Sequence, residues 1–355
     1  MAWPAHTRSN ARVCALLARR WRSTARTLGR DVARDTGRYA GHNVSRYTAG
    51  YAARQLACAA ASLWFGLMGL GLPGSAKAGT VPPPDRAVAL APHIVELVFA
   101  AGAGHTLVGV VQGSDYPEAA RSIANVGDGT RLNAERLLSL APDVVIGWQP
   151  APLRSLLPLL AAQHIDVVYS DPQRLDEIAR DIARLGTVLG TRDIALAHAA
   201  SLAARVQALR DRYQGAPPVR VFVQVGQDPL YSLGETSIVS DALKICGGVN
   251  VMGPSGLAAP RTSVEGVLAT QPDVILAGVS SEPERAMLTT FWRARGWPAM
   301  PADSGHRIIT LDADALYRAT PRMIDATEQL CLRLDQVRAM MTDTQKRNGT
   351  LTHDP

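Results

Sequence analysis

The stretch Asn133-Ala-Glu135-Arg-Leu-Leu138-Ser-Leu-Ala-Pro142-Asp143-Val-Val-Ile146 recurs as Ser263-Val-Glu265-Gly-Val-Leu268-Ala-Thr-Gln-Pro272-Asp273-Val-Ile-Leu276, at a constant offset of 130 residues. In each copy a capping residue, Asn133 or Ser263, opens a short apolar-periodic helix. Pro-Asp then stops the helix, and the apolar run that follows reads as a buried strand. Two copies of one helix–turn–strand unit predict two similar α/β lobes. The period is too long for a solenoid and matches the size of one domain. A ligand of such paired lobes is expected in the crevice between them.

Outward from the repeat the same rhythm continues. Arg86 to Ala91 reads as a first strand, Ile94 to Ala101 as a helix ending at Gly102 and Gly104, Leu107 to Val111 and Ile165 to Tyr169 as further strands. A βαβ order of this kind predicts mostly parallel sheets. The N-terminal lobe is placed at 86–172 and the C-terminal lobe at 216–341, the latter closing with a helix from about residue 321 and followed by a disordered tail at 342–355. Between the lobes, 173–215 carries no strand signal. Leu196, Ala199, Ala203, Val206, Leu209 and Tyr213 recur there at near-helical spacing. They predict a rigid helix of about 20 residues starting near Thr191 or Arg192, about 30 Å long and able to bridge the lobes.

The formal charge of +6 and pI near 9.4 do not indicate a nucleic-acid partner. Residues 1–78 hold 12 Lys+Arg against 2 Asp+Glu, which leaves the remainder of the chain at a net −4. Within that leader, Arg54 precedes an apolar run from Leu56 to Leu72, and Ser75-Ala76-Lys77-Ala78 offers an A-x-A cleavage site. The expectation is secretion with cleavage after Ala78, followed by a proline-rich linker at 79–85. A membrane anchor is the alternative, disfavoured by the glycine-rich end and the missing Lys/Arg flank. Cys58 lies at the start of the apolar run, which argues against a lipoprotein. The Arg-rich residues 1–50 are explained by an overcalled start codon or by a disordered extension. After cleavage 277 residues remain, with Cys246 and Cys331 as their cysteines. In an oxidising compartment one disulfide is expected, and two separate buried thiols are the alternative.

No catalytic set and no metal set emerges: there is no phosphate-cradling loop, serine elbow, Cys-x-x-Cys or His pair at metal spacing. His93-x-x-Glu96 reads as a capped helix start. Loops after strands carry function in α/β folds, and four are informative: Ser114-Asp115-Tyr116-Pro117, Trp148-Gln149-Pro150, Asp228-Pro-Leu-Tyr231 and Asp314-Ala-Leu-Tyr317-Arg318. Their aromatic, Asp and Arg side chains predict a cleft for a large flat ligand with polar edges. Asp314 with Arg318 is a poor catalytic pair, since Arg exchanges no proton near neutral pH.

Ser114-Asp-Tyr-Pro117, Pro142-Asp-Val-Val-Ile-Gly-Trp148, Ile245-Cys-Gly-Gly-Val-Asn250, Arg318-Ala-Thr-Pro-Arg322 and Gln329-Leu-Cys331 together resemble the periplasmic cobalamin (vitamin B12)-binding proteins of ABC importers, within the iron-siderophore/heme/cobalamin substrate-binding superfamily. The resemblance covers about residues 86–340. It implies two Rossmann-like lobes joined by one long rigid helix, and no enzymatic activity. It further implies cobalamin or a related corrinoid as transported ligand, not cofactor, lined by Tyr116, Trp148, Tyr231, Asp314 and Arg318. A Cys246–Cys331 bond is implied, as is docking of a monomer onto a permease and its ATPase through Glu135 and Glu265. Gly129 and Ala259 depart from the pattern, standing where pocket tryptophans are expected. Heme, with Tyr116 as axial ligand, and a siderophore are the alternatives within the superfamily; a periplasmic enzyme is the alternative outside it.

Overall fold

The computed structural model describes residues 82–129, 131–295, 297 and 307–350, all within one compact unit, Thr80–Pro355. The leader, the secretory signal and the Ala78 cleavage point lie outside the described residues. Lobe 1 is built on β1 (Ala87–Ala89), β2 (Leu107–Val110), β3 (Ala124–Asn125), β4 (Val144–Gly147) and β5 (Asp166–Tyr169), with helices α1 (Pro92–Ala100), α2 (Ala134–Ser139), α3 (Pro150–Leu153) and α4 (Leu157–Ala162). Helices α5 (Leu175–Val188) and α6 (Arg192–Tyr213) follow. Lobe 2 then holds β6 (Val219–Gln224), β7 (Gly226–Gln227), β8 (Leu230–Tyr231), α7 (Ile238–Ile245), β9 (Gly248–Asn250), α8 (Val264–Ala269), β10 (Val274–Val279), α9 (Glu282–Arg293), β11 (Ile308–Asp312), α10 (Ala313–Tyr317) and α11 (Pro321–Thr350).

The first sheet runs β3-β2-β1-β4-β5 and the second β11-β10-β6-β9, and every pairing in both is parallel. Read in reverse, the second order superposes β6, β9, β10 and β11 on β1, β2, β4 and β5. The two lobes share one topology, and β7 with β8 adds a small antiparallel ribbon to the second.

The sequence repeat is a repeat of hydrogen bonding. The Asn133 side chain accepts from Arg136 N at 2.8 Å, and the Ser263 hydroxyl accepts from Gly266 N at 3.1 Å. Each helix then ends through a left-handed residue, Ala141 at φ 43° and Gln271 at φ 46°. The carboxylate of Asp143 accepts from Arg86 N at 2.9 Å, and that of Asp273 from Arg220 N at 2.8 Å. Arg86 turns its guanidinium onto the carbonyls of Leu140 and Ala141, and Arg220 does the same to Thr270 and Gln271. Helix-end carbonyls without intrahelical partners are thereby satisfied. The repeat thus extends to an arginine at the first strand of each lobe.

The joining segment carries the long helix expected from near Arg192, preceded by a second helix. Helix α5 packs along α6 as an antiparallel hairpin and touches both lobes, packing on α1 and donating from Leu175 N to Asp241 of α7 at 3.0 Å, while α6 runs between the lobes with 22 residues. At its start the His198 ring lies 2.8 Å from Ala100 O, on the last turn of α1 in lobe 1. Further on, Arg205 pairs with Glu328 and Asp325, and the Tyr213 hydroxyl donates to Asp335 at 3.0 Å, all three partners lying on α11. Its buried stripe is Ala195, Ala199, Leu202, Val206 and Tyr213, whereas Leu196 and Ala203 face outward. In so alanine-rich a helix two adjacent stripes have nearly equal apolarity, so periodicity alone could not choose between them. The tail expected to be disordered from 342 is helical to Thr350, since Thr342 to Asn348 contains no glycine or proline to stop α11.

Cys246 at the end of α7 is bonded to Cys331 in α11, and both are fully buried. The two glycines that follow have separate reasons. Gly247 turns at φ 71°, and Gly248 leaves only 3.0 Å between an added Cβ and Leu243. Asn250 then donates to Leu233 O and Ser240 Oγ, so the Cys-Gly-Gly-Val-Asn motif is a structural corner of lobe 2. The disulfide closes a segment spanning 85 residues. Replacing both cysteines by alanine is expected to lower unfolding stability by about 3–5 kcal/mol, measured by urea denaturation against the oxidised wild type.

A second buried link sets the floor of lobe 2. The Trp292 ring N–H donates to Gln224 Oε1 at 2.7 Å, Gln224 O accepts from the Tyr317 hydroxyl at 2.9 Å, and that hydroxyl accepts from Gly278 N at 2.8 Å. Burial pushes the Tyr317 phenol up from 10.0 to about 12. The folded state therefore binds more protons than the unfolded state between these values, and the contribution of Tyr317 to stability falls as pH rises through that window. Tyr317→Phe is expected to cost about 1–3 kcal/mol at pH 7, because two backbone groups lose their partner. It should also flatten the alkaline decline, compared in urea titrations below and above pH 10.

Candidate functional site

In lobe 1 the chain leaves β1 and β4, neighbours in the sheet, in opposite directions, and this switch point opens a crevice beyond the strand ends. After β1, Ala91 caps α1 without a side-chain bond and Pro92 occupies the first turn. His93 and Glu96 are consequently not a helix cap, which corrects the reading from sequence; each faces a different partner. His93 places its ring edge-on to Trp148 at 5.6 Å, with Nε2 3.4 Å from Ser170 O. Burial pulls its pKa below the ordinary imidazole value, outweighing Ser170 and the nearby carboxylates. Trp148 donates from Nε1 to Asp171 Oδ1 at 2.7 Å while remaining 48% exposed. Facing these groups, Val225, Leu233, the start of α7 at Ser237 to Val239, Tyr317 and Ala319 complete a cleft of about 350 Å³.

The wall beside this cleft is ionic. Asp312 caps α10 by accepting from Ala315 N at 2.8 Å, and the chain turns through Arg318 to Thr320 into Pro321 at the start of α11. Arg318 reaches Asp314 at 2.7 Å, and Asp115 and Glu96 at 3.4 Å each. Arg322 grips Glu96 with two nitrogens, one at 2.9 Å, and lies 3.9 Å from Asp312. Its guanidinium carbon stands 4.3 Å above the Tyr116 ring. The hydrogen bonds to Glu96 hold Arg322 above the usual guanidinium range. Burial raises the Asp314 carboxyl above its ordinary value, against the pull of Arg318 and Arg322. Two guanidinium groups are thus surrounded by four carboxylates.

Of the residues singled out from sequence, Tyr116, Asp314 and Arg318 come together in this wall, and Trp148 shares the cleft with the Tyr317–Ala319 turn that carries Arg318. Tyr231 stands apart on the β7–β8 ribbon, 38% exposed, with its ring over Gly226. Glu96, Arg322, His93 and Asp171 were not singled out as site residues. Their signals were present but faint: a lone carboxylate inside the apolar run Ile94–Val98, and a second arginine four residues after Arg318. Gly129 adopts φ 85° close to Leu90 O, where any side chain would be strained. Ala259 is exposed between Ala258 and Pro260, whose carbonyls accept from Gly234 and Ser232. Glu135 and Glu265 are exposed in the first turns of α2 and α8. Bonds from its own backbone N–H and from Ser263 hold the Glu265 carboxyl below its usual range. Among the described residues no group of three His, Cys, Asp or Glu side chains is arranged to hold a metal ion.

The chain is similar to several known proteins. A vitamin B12-binding protein of Yersinia pestis (strain Pestoides F) is 34% identical over 254 residues, 71% of this chain and 87% of the relative. The crystal structure of the periplasmic vitamin B12-binding protein BtuF of Vibrio cholerae superposes with a TM-score of 0.64 at 35% identity, covering 72% of this chain and 98% of that one. The periplasmic heme-binding protein RhuT of Roseiflexus sp. RS-1 follows with a TM-score of 0.61 at 29% identity, covering 71% and 98%. The profile of the family described as periplasmic binding protein matches residues 88–315. The chain belongs to the periplasmic binding protein family.

Proposed function

We propose that the protein captures cobalamin or a related corrinoid in the interlobe cleft, one per chain and without chemical change, and delivers it from the periplasm to an ABC permease with its ATPase. The observation that carries the choice of ligand is the charge of the wall. Arg318 and Arg322 are already committed to Glu96, Asp115, Asp312 and Asp314. A wall with excess acceptors suits a ring edged with neutral amides, whose N–H groups donate to carboxylates. It opposes the two propionates of heme. Trp148, with one face open to the cleft, and Tyr116 supply flat apolar contact for the ring. Tyr231 would join them from the ribbon at the rim. The reading of Arg54 to Ala78 as a cleaved secretory signal supports delivery to this compartment, as does the buried Cys246–Cys331 bond.

Mixing the purified protein with cyanocobalamin is expected to give saturable binding at one site by isothermal titration, with a perturbed corrinoid spectrum, and hemin is expected to bind more weakly. Tyr116→Phe separates the two ligands. It should weaken a corrinoid only modestly, whereas a heme held by phenolate would lose its charge-transfer band. Tight hemin binding without cobalamin binding would reverse the assignment.

Docking rests on Glu135 and Glu265, which occupy matched positions at two helix N-termini, where a carboxylate is favoured and solvent-facing. One such carboxylate per lobe suits a two-fold permease presenting arginines. In Glu135→Ala with Glu265→Ala, corrinoid affinity should stay within about twofold, within the spread usual for surface substitutions, while uptake in a transport assay falls sharply. Normal uptake would assign both residues to helix capping alone.

A further inference from the structure

Glu96 lies in the middle of α1, between Val95, Leu97 and Val98, which are all fully buried, and its own side chain is 2% exposed. Its partners, Arg322 and Arg318, come from the other lobe, more than 220 residues later in the chain. Water cannot take their place without opening the lobe interface, so this contact ties the position of one lobe to the other. The turn that makes it does two things in alternation. Tyr317 and Ala319 line the cleft, while Arg318 and Arg322 reach into lobe 1. Moving the anchors therefore moves the cleft floor. Arg322 also bridges two separate parts of lobe 1, gripping Glu96 while stacking on Tyr116.

We propose that Glu96, Arg322 and Arg318 form an interlobe latch that sets the resting width of the cleft, with Arg322 as a positioning residue that holds Tyr116 as a fixed wall. The members are unequal. Arg322 holds Glu96 through a two-pronged contact, whereas Arg318 meets Glu96 and Asp115 only at 3.4 Å and is held closely by Asp314 of its own lobe. Arg318 is the member that can turn a nitrogen to an acceptor on an incoming ligand while the Glu96–Arg322 contact stays closed. The ligand half of this inference rests on the corrinoid reading; the latch itself does not.

The test uses the full chain with Cys14→Ser and Cys58→Ser, carrying spin labels at Ser139→Cys and Ala269→Cys, one exposed site in each lobe. Into it are introduced Glu96→Gln, Arg322→Lys or Arg322→Met. Without ligand, the interlobe distance distribution from double electron–electron resonance is expected to widen in Glu96→Gln and Arg322→Met, and less in Arg322→Lys. Cyanocobalamin dissociation, followed by stopped-flow absorbance, should accelerate about tenfold while association changes by less than about threefold, as befits a loss of preorganisation in the bound state. Distributions as narrow as the parent's, with unchanged dissociation, overturn the proposal. Should Glu96→Gln fail to fold, Arg322→Met decides the matter, because Glu96 then keeps Arg318. A parent protein that binds no cyanocobalamin refutes the corrinoid reading instead, and the distance distributions judge the latch alone.

Discussion

A carboxylate enclosed among the apolar side chains of a core helix must either give up its charge or be met by a cation. Glu96 is met by two, both supplied by the partner lobe, and the arrangement of the cleft follows from that requirement. Such a pair adds little net stability, because desolvation of the ions offsets their attraction; removing one partner, however, typically costs about 3–5 kcal/mol. Its effect is to select one geometry. Of the orientations open to two lobes that share one continuous core, the one observed brings the Arg318–Arg322 turn over Glu96.

The two lobes are alike in topology but divide the work differently. Lobe 1 contributes fixed groups, since the switch point between β1 and β4 places His93 in the first turn of α1 beside Trp148, which follows β4 and is held by Asp171. Lobe 2 contributes a floor that is itself braced, by the Trp292–Gln224–Tyr317–Gly278 chain on one side and by the Cys246–Cys331 crosslink between α7 and α11 further back. Ribbon β7–β8 is the part of lobe 2 that β-strand pairing with the main sheet does not constrain, and Tyr231 sits there, away from the ionic wall.

Features encoded locally were legible in the sequence. The capping residues of α2 and α8, the Pro-Asp stops and the buried strands after them depend on neighbours within a dozen positions, and a duplicated pattern makes such signals redundant. The reach of α6 was readable for the same reason, and so was most of its buried face, Ala199, Val206 and Tyr213 with Leu209 beside them; Leu196 and Ala203 were misplaced because alanine distinguishes inside from outside weakly. The Glu96–Arg322 contact had no local signature beyond a charge in an apolar run. Neither residue reveals its partner until the topology brings α1 and α11 together. His93 and Glu96 at helical spacing suggested a cap, yet Pro92 had already taken the first turn and left both side chains for tertiary contacts. The closing helix was ended at 341, although Thr342 to Asn348 contains no glycine or proline to stop α11.

The arginine clamps at Arg86 and Arg220 have a mechanical consequence. Each fastens the last carbonyls of a repeat helix to the first strand of its own sheet, so α2 and α8 move as rigid fixtures of their lobes and cannot rock independently. The separation of Glu135 and Glu265 then works as a caliper. Any body that grips both tips from outside measures the angle between the lobes, and with it the state of a cleft it never touches.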